Sequence, residues 1–166
     1  MKTDWTSISP HLYGVASRTL DEPIDKIGEA LETAMKNAGA KEFDFEREEG
    51  VNYNPRPARV ALILIKDAKV RSIKAIAAGI LASVELPFEV ESKEEKDIIA
   101  VANWLDRARH LHLAEKGKIQ EDSVLDFQLE FLKETEEYLK LAKNCSKELF
   151  ILLDAWKSRF ERRINS

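Results

Sequence analysis

The most apolar part of the chain is RVALILIKDAKVRSIKAIAAGILASVE, residues 59–85. On either side of a polar turn, its apolar side chains recur every three or four residues, which is the period of a helix. Small residues between 75 and 82 would let a neighbouring helix approach closely. The longest unbroken apolar run, VALILI, is far shorter than the roughly 20 residues that cross a bilayer. The segment therefore predicts two short buried helices and no membrane contact.

Other segments carry helical periodicity together with start and stop residues. DEPIDKIGEALETAMKNAG offers Asp21 as an N-cap and ends at Gly39. Ser72 is expected to cap the second helix of the apolar pair, and Ser92 forms a capping box with Glu95 at the start of the next one. Two long amphipathic segments, EDSVLDFQLEFLKETEEYLKLAKN and SKELFILLDAWKSRFERRI, complete the chain. We expect helices throughout, because no convincing run of alternating strand residues occurs.

The predicted fold is all-α, with about six helices in a single domain over residues 21–166. Residues 1–20 hold a proline, a glycine and scattered aromatics, so we expect an irregular N-terminal arm packed on that domain. A length of 166 residues suits one hydrophobic core. With 44% apolar and 34% charged residues, the composition excludes a disordered or collagen-like chain.

Charge and cysteine content exclude several classes of function. Acidic residues outnumber basic ones by 30 to 26, so the net charge is −4, which argues against broad nucleic-acid binding. The basic run KSRFERR near the C-terminus more simply complements the negative end of a helix. The one cysteine, Cys145, excludes an internal disulfide and a multi-cysteine zinc site. The N-terminus lacks the apolar run of a signal peptide, so a cytoplasmic location is expected.

Few residues suggest catalysis directly. Phosphate-binding loops, CxxC and HExxH are absent from the sequence. The pair His110 and His112 has a spacing that turns the two rings about 200° apart on a helix, so they do not share one metal ion there. Asp106 lies beside an apolar helix face, where a carboxylate needs a partner. Either it pairs with Arg109 or Arg56, or it is a metal ligand.

Three segments in order resemble the HD-domain hydrolases that degrade the alarmone (p)ppGpp. They are GVNYNPRPARVALIL (50–64), IAAGILASVE (76–85) and AVANWLDRARHL (100–111), and the likeness extends over residues 24–113. The resemblance implies an HD-like helical fold. It also implies that the family's four metal-binding positions, a His, a His-Asp pair and a later Asp, correspond to Arg56, Ala82, Ser83 and Asp106.

That correspondence implies a loss of metal hydrolysis. Arginine is a fixed cation and alanine has no ligand atom, while a neutral serine is a weak ligand. We therefore expect no metal and no cofactor, and we expect Arg56 to lie beside Asp106, where its charge would replace that of the lost ion. Exchanging Arg56 for His is expected to leave the fold intact but weaken it.

The first functional hypothesis is a catalytically inactive HD-like protein that binds a ligand or a protein partner. Its ligand would be a nucleotide or another anionic small molecule. The residues expected to bind it are Arg56, Arg59, Asp106 and Arg107, with Tyr53 as a stacking or hydrogen-bonding wall.

Two alternatives remain open. One is a metal-dependent phosphohydrolase of the HD superfamily with relocated ligands, which would be Asp97, Asp106, His110 and His112. The other is a helical interaction module unrelated to HD enzymes. Its aromatic residues would belong to the core or, if they exceed one core face, to a homodimer interface; they are Phe127, Phe131, Tyr138, Phe150 and Trp156.

Overall fold

The fold is all-α, as predicted, in a computed structural model that describes residues 5, 7–38, 54–111 and 124–165. Those residues form seven helices and no strand. The helices are α1 (Pro10–Thr19), α2 (Asp25–Ala38), α3 (Arg56–Leu62), α4 (Ile73–Ala82), α5 (Lys93–Arg109), α6 (Val124–Cys145) and α7 (Lys147–Asn165). No helix in these ranges is long and apolar enough to cross a membrane.

The expectation of an irregular N-terminal arm is wrong for α1. Proline is well suited to the first turn of a helix, because the N–H it lacks would have no partner there, so Pro10 starts α1 rather than breaking it. The Ser9 hydroxyl caps the helix by accepting a hydrogen bond from the Leu12 N–H, 3.2 Å away. Leu12 and Ala16 are fully buried, so α1 belongs to the main core.

The start of α2 also differs from the prediction. The helix begins at Asp25, and Ile24 rather than Asp21 supplies the carbonyl that accepts from the Gly28 N–H at 3.4 Å. Ile27 and Leu31 lie four residues apart on one face of the helix and are fully buried. Gly39, the predicted end, lies outside the described residues.

The apolar pair of helices is present where the sequence predicted it. Helix α3 continues as a π-helical turn, Ile63–Asp67, before the chain reaches α4. Ser72 caps α4, as expected, by accepting from the Ala75 N–H at 3.2 Å. A Cβ on Gly79 would lie 2.3 Å from Leu64 Cδ1, so this glycine allows the two elements to approach closely.

Helix α5 is the centre of the fold, because it packs against α3, α4, α6 and α7. Ser92 caps it by accepting from the Glu95 N–H at 3.2 Å. The Glu95 carboxylate reaches back to the Glu91 N–H, also at 3.2 Å, and not to that of Ser92 as in the standard capping box. Leu105, Ala102 and the other inward residues of α5 are buried.

The last two helices pack on α5 through stacked aromatic rings. The ring centroid of Trp104 lies 4.5 Å from that of Phe131 and 4.4 Å from that of Tyr138. The Trp104 indole donates to the Thr135 hydroxyl at 2.9 Å, so its polar atom is satisfied inside the core. Trp156 meets Phe131 edge to face, at 5.7 Å. These aromatic residues are therefore largely core, which leaves little aromatic surface for a partner.

Candidate functional site

The candidate site is built around one buried carboxylate. The side chain of Asp106 is 1% exposed, and two arginines of α3 bind it. Arg56 Nη1 donates to Asp106 Oδ2 at 2.7 Å. Arg59 donates through Nε to Oδ1 at 2.7 Å and through Nη2 to Oδ2 at 3.0 Å, which is the bidentate geometry of a strong ion pair. We call Arg56, Arg59 and Asp106 the Arg–Asp junction.

Arg56 connects three parts of the fold. Its Nε donates to the carbonyl of Ser83, just after α4, at 3.2 Å. Its Nη2 donates to the Asn103 side chain in α5 at 3.1 Å and lies 3.5 Å from the Asn103 carbonyl. These bonds, with the one to Asp106, occupy both terminal nitrogens and the Nε of the guanidinium. Arg56 therefore holds α3, α4 and α5 together.

Arg59 extends the junction towards the N-terminal helix. Its Nη1 donates to the Asn54 carbonyl at 3.2 Å. The Asn54 side-chain oxygen in turn accepts from the Ser9 hydroxyl at 2.8 Å. Ser9 is fully buried and caps α1, so a continuous chain of hydrogen bonds runs from α1 to Asp106.

Two charges of the junction run against the dipoles of their own helices. Arg56 is the first residue of α3, whose N-terminal end carries partial positive charge, and Asp106 lies in the last turn of α5, whose end carries partial negative charge. Each placement is locally unfavourable, and the ion pair offsets both. Departures of this kind from local preference are concentrated at functional or strained positions.

His110 borders the junction. Its Nδ1 lies 2.9 Å from the backbone carbonyl of Asp106 and 3.5 Å from the Oδ1 of that residue. A carbonyl only accepts, so Nδ1 carries the proton in this contact. The His110 ring therefore lies next to Asp106, at the residue that follows α5. His112, its predicted companion, lies outside the described residues.

The residues at the four positions that the resemblance assigns to metal ligands do not fit a divalent metal ion. Arg56 has no ligand atom to offer, and Ala82 has none either. The Ser83 hydroxyl donates to the Ile80 carbonyl at 2.6 Å, so its proton is engaged within the helix. Only the carboxylate of Asp106 remains, and two guanidinium groups already bind it. Three or more His, Cys, Asp and Glu side chains do not gather into a metal-binding group anywhere in the described ranges.

The set of relocated ligands is not brought together either. Asp97 precedes Asp106 by nine residues on α5, which is about 13.5 Å along the axis at 1.5 Å per residue. Its carboxylate pairs instead with Lys93, at 2.8 Å. One metal ion cannot bind both carboxylates across that distance.

Of the five predicted ligand-binding residues, three meet at the junction. Arg107 does not: its guanidinium carbon lies 5.6 Å from the centroid of the Trp104 ring, on the side of α5 that faces α6. Tyr53 lies outside the described residues. The predicted alternative partner of Asp106, Arg109, is near Asp67 instead, at 3.8 Å.

Sequence reasoning missed the polar residues that surround the junction. Asn103 precedes Asp106 by three residues and so shares its helix face, which is a spacing that could have identified it. The contributions of Asn54 and Ser83 come from backbone carbonyls, which any residue type supplies. No family model matches the chain, and neither a curated protein nor a solved structure matches it.

Proposed function

We propose that this chain is a noncatalytic protein on an HD-like scaffold, which acts by binding an anionic ligand or a protein partner. The observation that carries the proposal is the Arg–Asp junction. The buried carboxylate of Asp106, which the resemblance assigns to the family's last metal ligand, is bound by Arg56, which it assigns to the first, with Nη1 and Oδ2 2.7 Å apart. The carbonyl of Ser83, at a third such position, accepts from the same guanidinium at 3.2 Å.

The chemistry of the junction supports the absence of hydrolysis. Metal-dependent hydrolysis needs a cation with an open position that lowers the pKa of a bound water. A guanidinium supplies the positive charge but has no orbital that accepts a water oxygen, and each of the three nitrogens of Arg56 donates to a protein acceptor. The charge that a metal would provide is thus replaced, while its reactivity is not.

Metal content and thermal melting of the purified protein test this proposal. We expect no stoichiometric metal by elemental analysis, no turnover of (p)ppGpp and no rise in Tm with Mn²⁺. Free Mn²⁺ at 100 times the Kd of such a site would stabilise the fold by about 2.7 kcal/mol and raise Tm by about 5–10 °C. A rise of that size, or metal that copurifies at one ion per chain, would refute the noncatalytic function.

A grafted variant tests the resemblance separately. It carries Arg56→His, Arg59→Ala, Ala82→His and Ser83→Asp, which would place a His, a His-Asp pair and the native Asp106 together and release the carboxylate from Arg59. If the scaffold is HD-like, the folded variant should bind one Mn²⁺ and melt at a higher temperature in its presence. The control adds Asp106→Asn and should lose that response. A folded graft without metal binding would favour an unrelated helical interaction module.

Binding of an anion has one specific observation in its favour. The two guanidinium groups that bind Asp106 still reach the surface, because the side chains of Arg56 and Arg59 are 14% and 17% exposed. Calorimetric titration with pyrophosphate or a guanosine polyphosphate tests it, with Arg59→Met as the variant that should bind at least about tenfold more weakly. Equal heats from both proteins would leave a protein partner as the function of the scaffold.

A further inference from the structure

Helix α6 presents an apolar stripe on its outer face. Leu125 and Leu129 are 53% and 50% exposed and lie four residues apart, on one side of the helix. Leu132 continues the same side and is partly buried. We call these three residues the leucine stripe. Single exposed leucines are ordinary, but successive ones on one helix face commonly mark a contact surface.

Two members of the leucine stripe, Leu129 and Leu132, line a groove between α6 and α7. The groove has a volume of about 410 Å³, and its apolar lining comes from Leu129, Leu132 and Ile164. Lys157 crosses it and pairs with Glu136 of α6 and, at 2.8 Å, with Glu161 of α7. These bonds raise the pKa of Lys157, the one to Glu136 most strongly, so the lysine stays charged and paired with the two glutamates. Because the charge of Lys157 is neutralised by these glutamates, the groove suits an apolar helix better than a small ion.

Two charged residues beside the stripe indicate that the helix bound there is α6 of a second copy. Asp126 and Lys133 are both exposed and lie seven residues apart, so two helical turns place them on the same flank of α6. Neither forms an ion pair among the residues that the structure describes. Two such helices related by a two-fold axis near Leu129 run antiparallel, and Asp126 of each then faces Lys133 of the other.

We propose that α6 is a homodimer interface, in which the leucine stripes of two copies pack antiparallel and two reciprocal Asp126–Lys133 pairs fix the register. The occupant of the groove is thus a second copy of this chain. The stripe is short, and a stable interface usually buries about 800 Å² per partner, so the dimer is weak and depends on concentration. The proposal does not rest on the function of the Arg–Asp junction, which lies on α3 and α5.

Sedimentation velocity of the full chain, from low micromolar to about 1 mM, tests the proposal. The wild type should shift from monomer to dimer. Asp126→Lys alone and Lys133→Glu alone should each raise the Kd by about tenfold or more, because each turns two attractive contacts into two repulsive ones. An equimolar mixture of the two variants should dimerise again, because every contact between unlike copies is then attractive.

A matched control reverses a charge elsewhere on α6. Lys143→Glu makes the same change as Lys133→Glu at an exposed position near the other end of the helix and should leave the Kd unchanged. A monomeric wild type over the whole range would overturn the proposal. So would a dimer that the two variants do not weaken, or weakened variants that fail to recover on mixing.

Discussion

The two sides of α5 are fastened by different kinds of interaction. On one side Asp106 is bound by Arg56 and Arg59, with N–O distances between 2.7 and 3.0 Å. On the other side Trp104, only two residues earlier, is stacked against Phe131 and Tyr138 of α6. The same helix thus contacts the second half of the fold through stacked rings and adds an ion pair to its apolar contact with the first half.

The comparison separates stability from geometry. Stacked rings stabilise in proportion to the area they bury and tolerate small displacements. A buried ion pair gains little net stability over apolar residues of the same shape, because desolvation offsets the attraction, but it is costly to break from one side. The aromatic side therefore stabilises the fold, and the Arg–Asp junction determines how α3, α4 and α5 are placed.

The largest expected effect comes from breaking the junction at its centre. Asp106→Asn removes the buried negative charge to which Arg56 and Arg59, both partly buried, donate hydrogen bonds, so the strongest acceptor of each guanidinium is weakened. We expect a loss of about 3–5 kcal/mol in the free energy of unfolding, measured by urea denaturation.

Asp97→Asn is the control for that change, because it neutralises an aspartate of the same helix whose partner, Lys93, is exposed. It should cost less than about 1 kcal/mol. Equal losses from Asp106→Asn and Asp97→Asn would show that burial of the junction does not govern its contribution.

A smaller effect is expected on the aromatic side. Trp104→Phe keeps a ring in the stack but removes the indole N–H that donates to Thr135, and it leaves a small cavity. The expected loss is about 1–3 kcal/mol, and it should be the same in low and high salt because no net charge is involved. Thr135→Val added to Trp104→Phe should cost little more, since in Trp104→Phe the hydroxyl keeps only its bond to the Phe131 carbonyl of its own helix, 2.7 Å away.

The smallest expected effect is the pH dependence of stability that comes from Cys145, the last residue of α6. Burial raises the pKa of the Cys145 thiol from 9.0 to about 11, with the negative charges of Asp97 and Glu94 adding to the rise. The unfolded thiol ionises first, so stability is unaffected below about pH 9 and falls between about 9 and 11.

The fall should be below about 1 kcal/mol, because a partly exposed group is screened by solvent. Melting of the wild type and of Cys145→Ala at pH 8 and pH 10.5, together with alkylation rates, measures it. A thiol alkylated at half its maximal rate near pH 9 would show that the surroundings of Cys145 do not resist ionisation.

The helices could be predicted because their capping residues are local. Ser72 and Ser92 cap the predicted helices, since a hydroxyl three residues before a free N–H is a feature of the sequence itself. Helix α1 was missed because Pro10 signals either a break or a first turn, and the sequence does not separate the two meanings. The π-helical turn after α3 depends on packing and has no local pattern.

The pair of Arg56 and Asp106 was predicted and is present, because a carboxylate on an apolar helix face must have a partner and the resemblance supplied one. The second arginine was assigned to a ligand instead. Arg59 follows Arg56 by three residues and shares its face, which was enough to place it at the same carboxylate. Arg107 was misplaced because one residue on a helix turns the side chain by about 100°.

The hydrogen bond from Ser9 to Asn54 has a consequence for how the protein opens. Ser9 caps the start of α1, and the backbone carbonyl of Asn54 accepts from Arg59, so releasing the first helix removes a support from the guanidinium at Asp106. Amide hydrogens in α1 and those of α3 from Arg59 onward, where the helical hydrogen bonds begin, should then exchange with solvent at a common rate, as one cooperative unit. Helix α1, which contributes few buried residues, would in this way set how often the Arg–Asp junction opens to solvent.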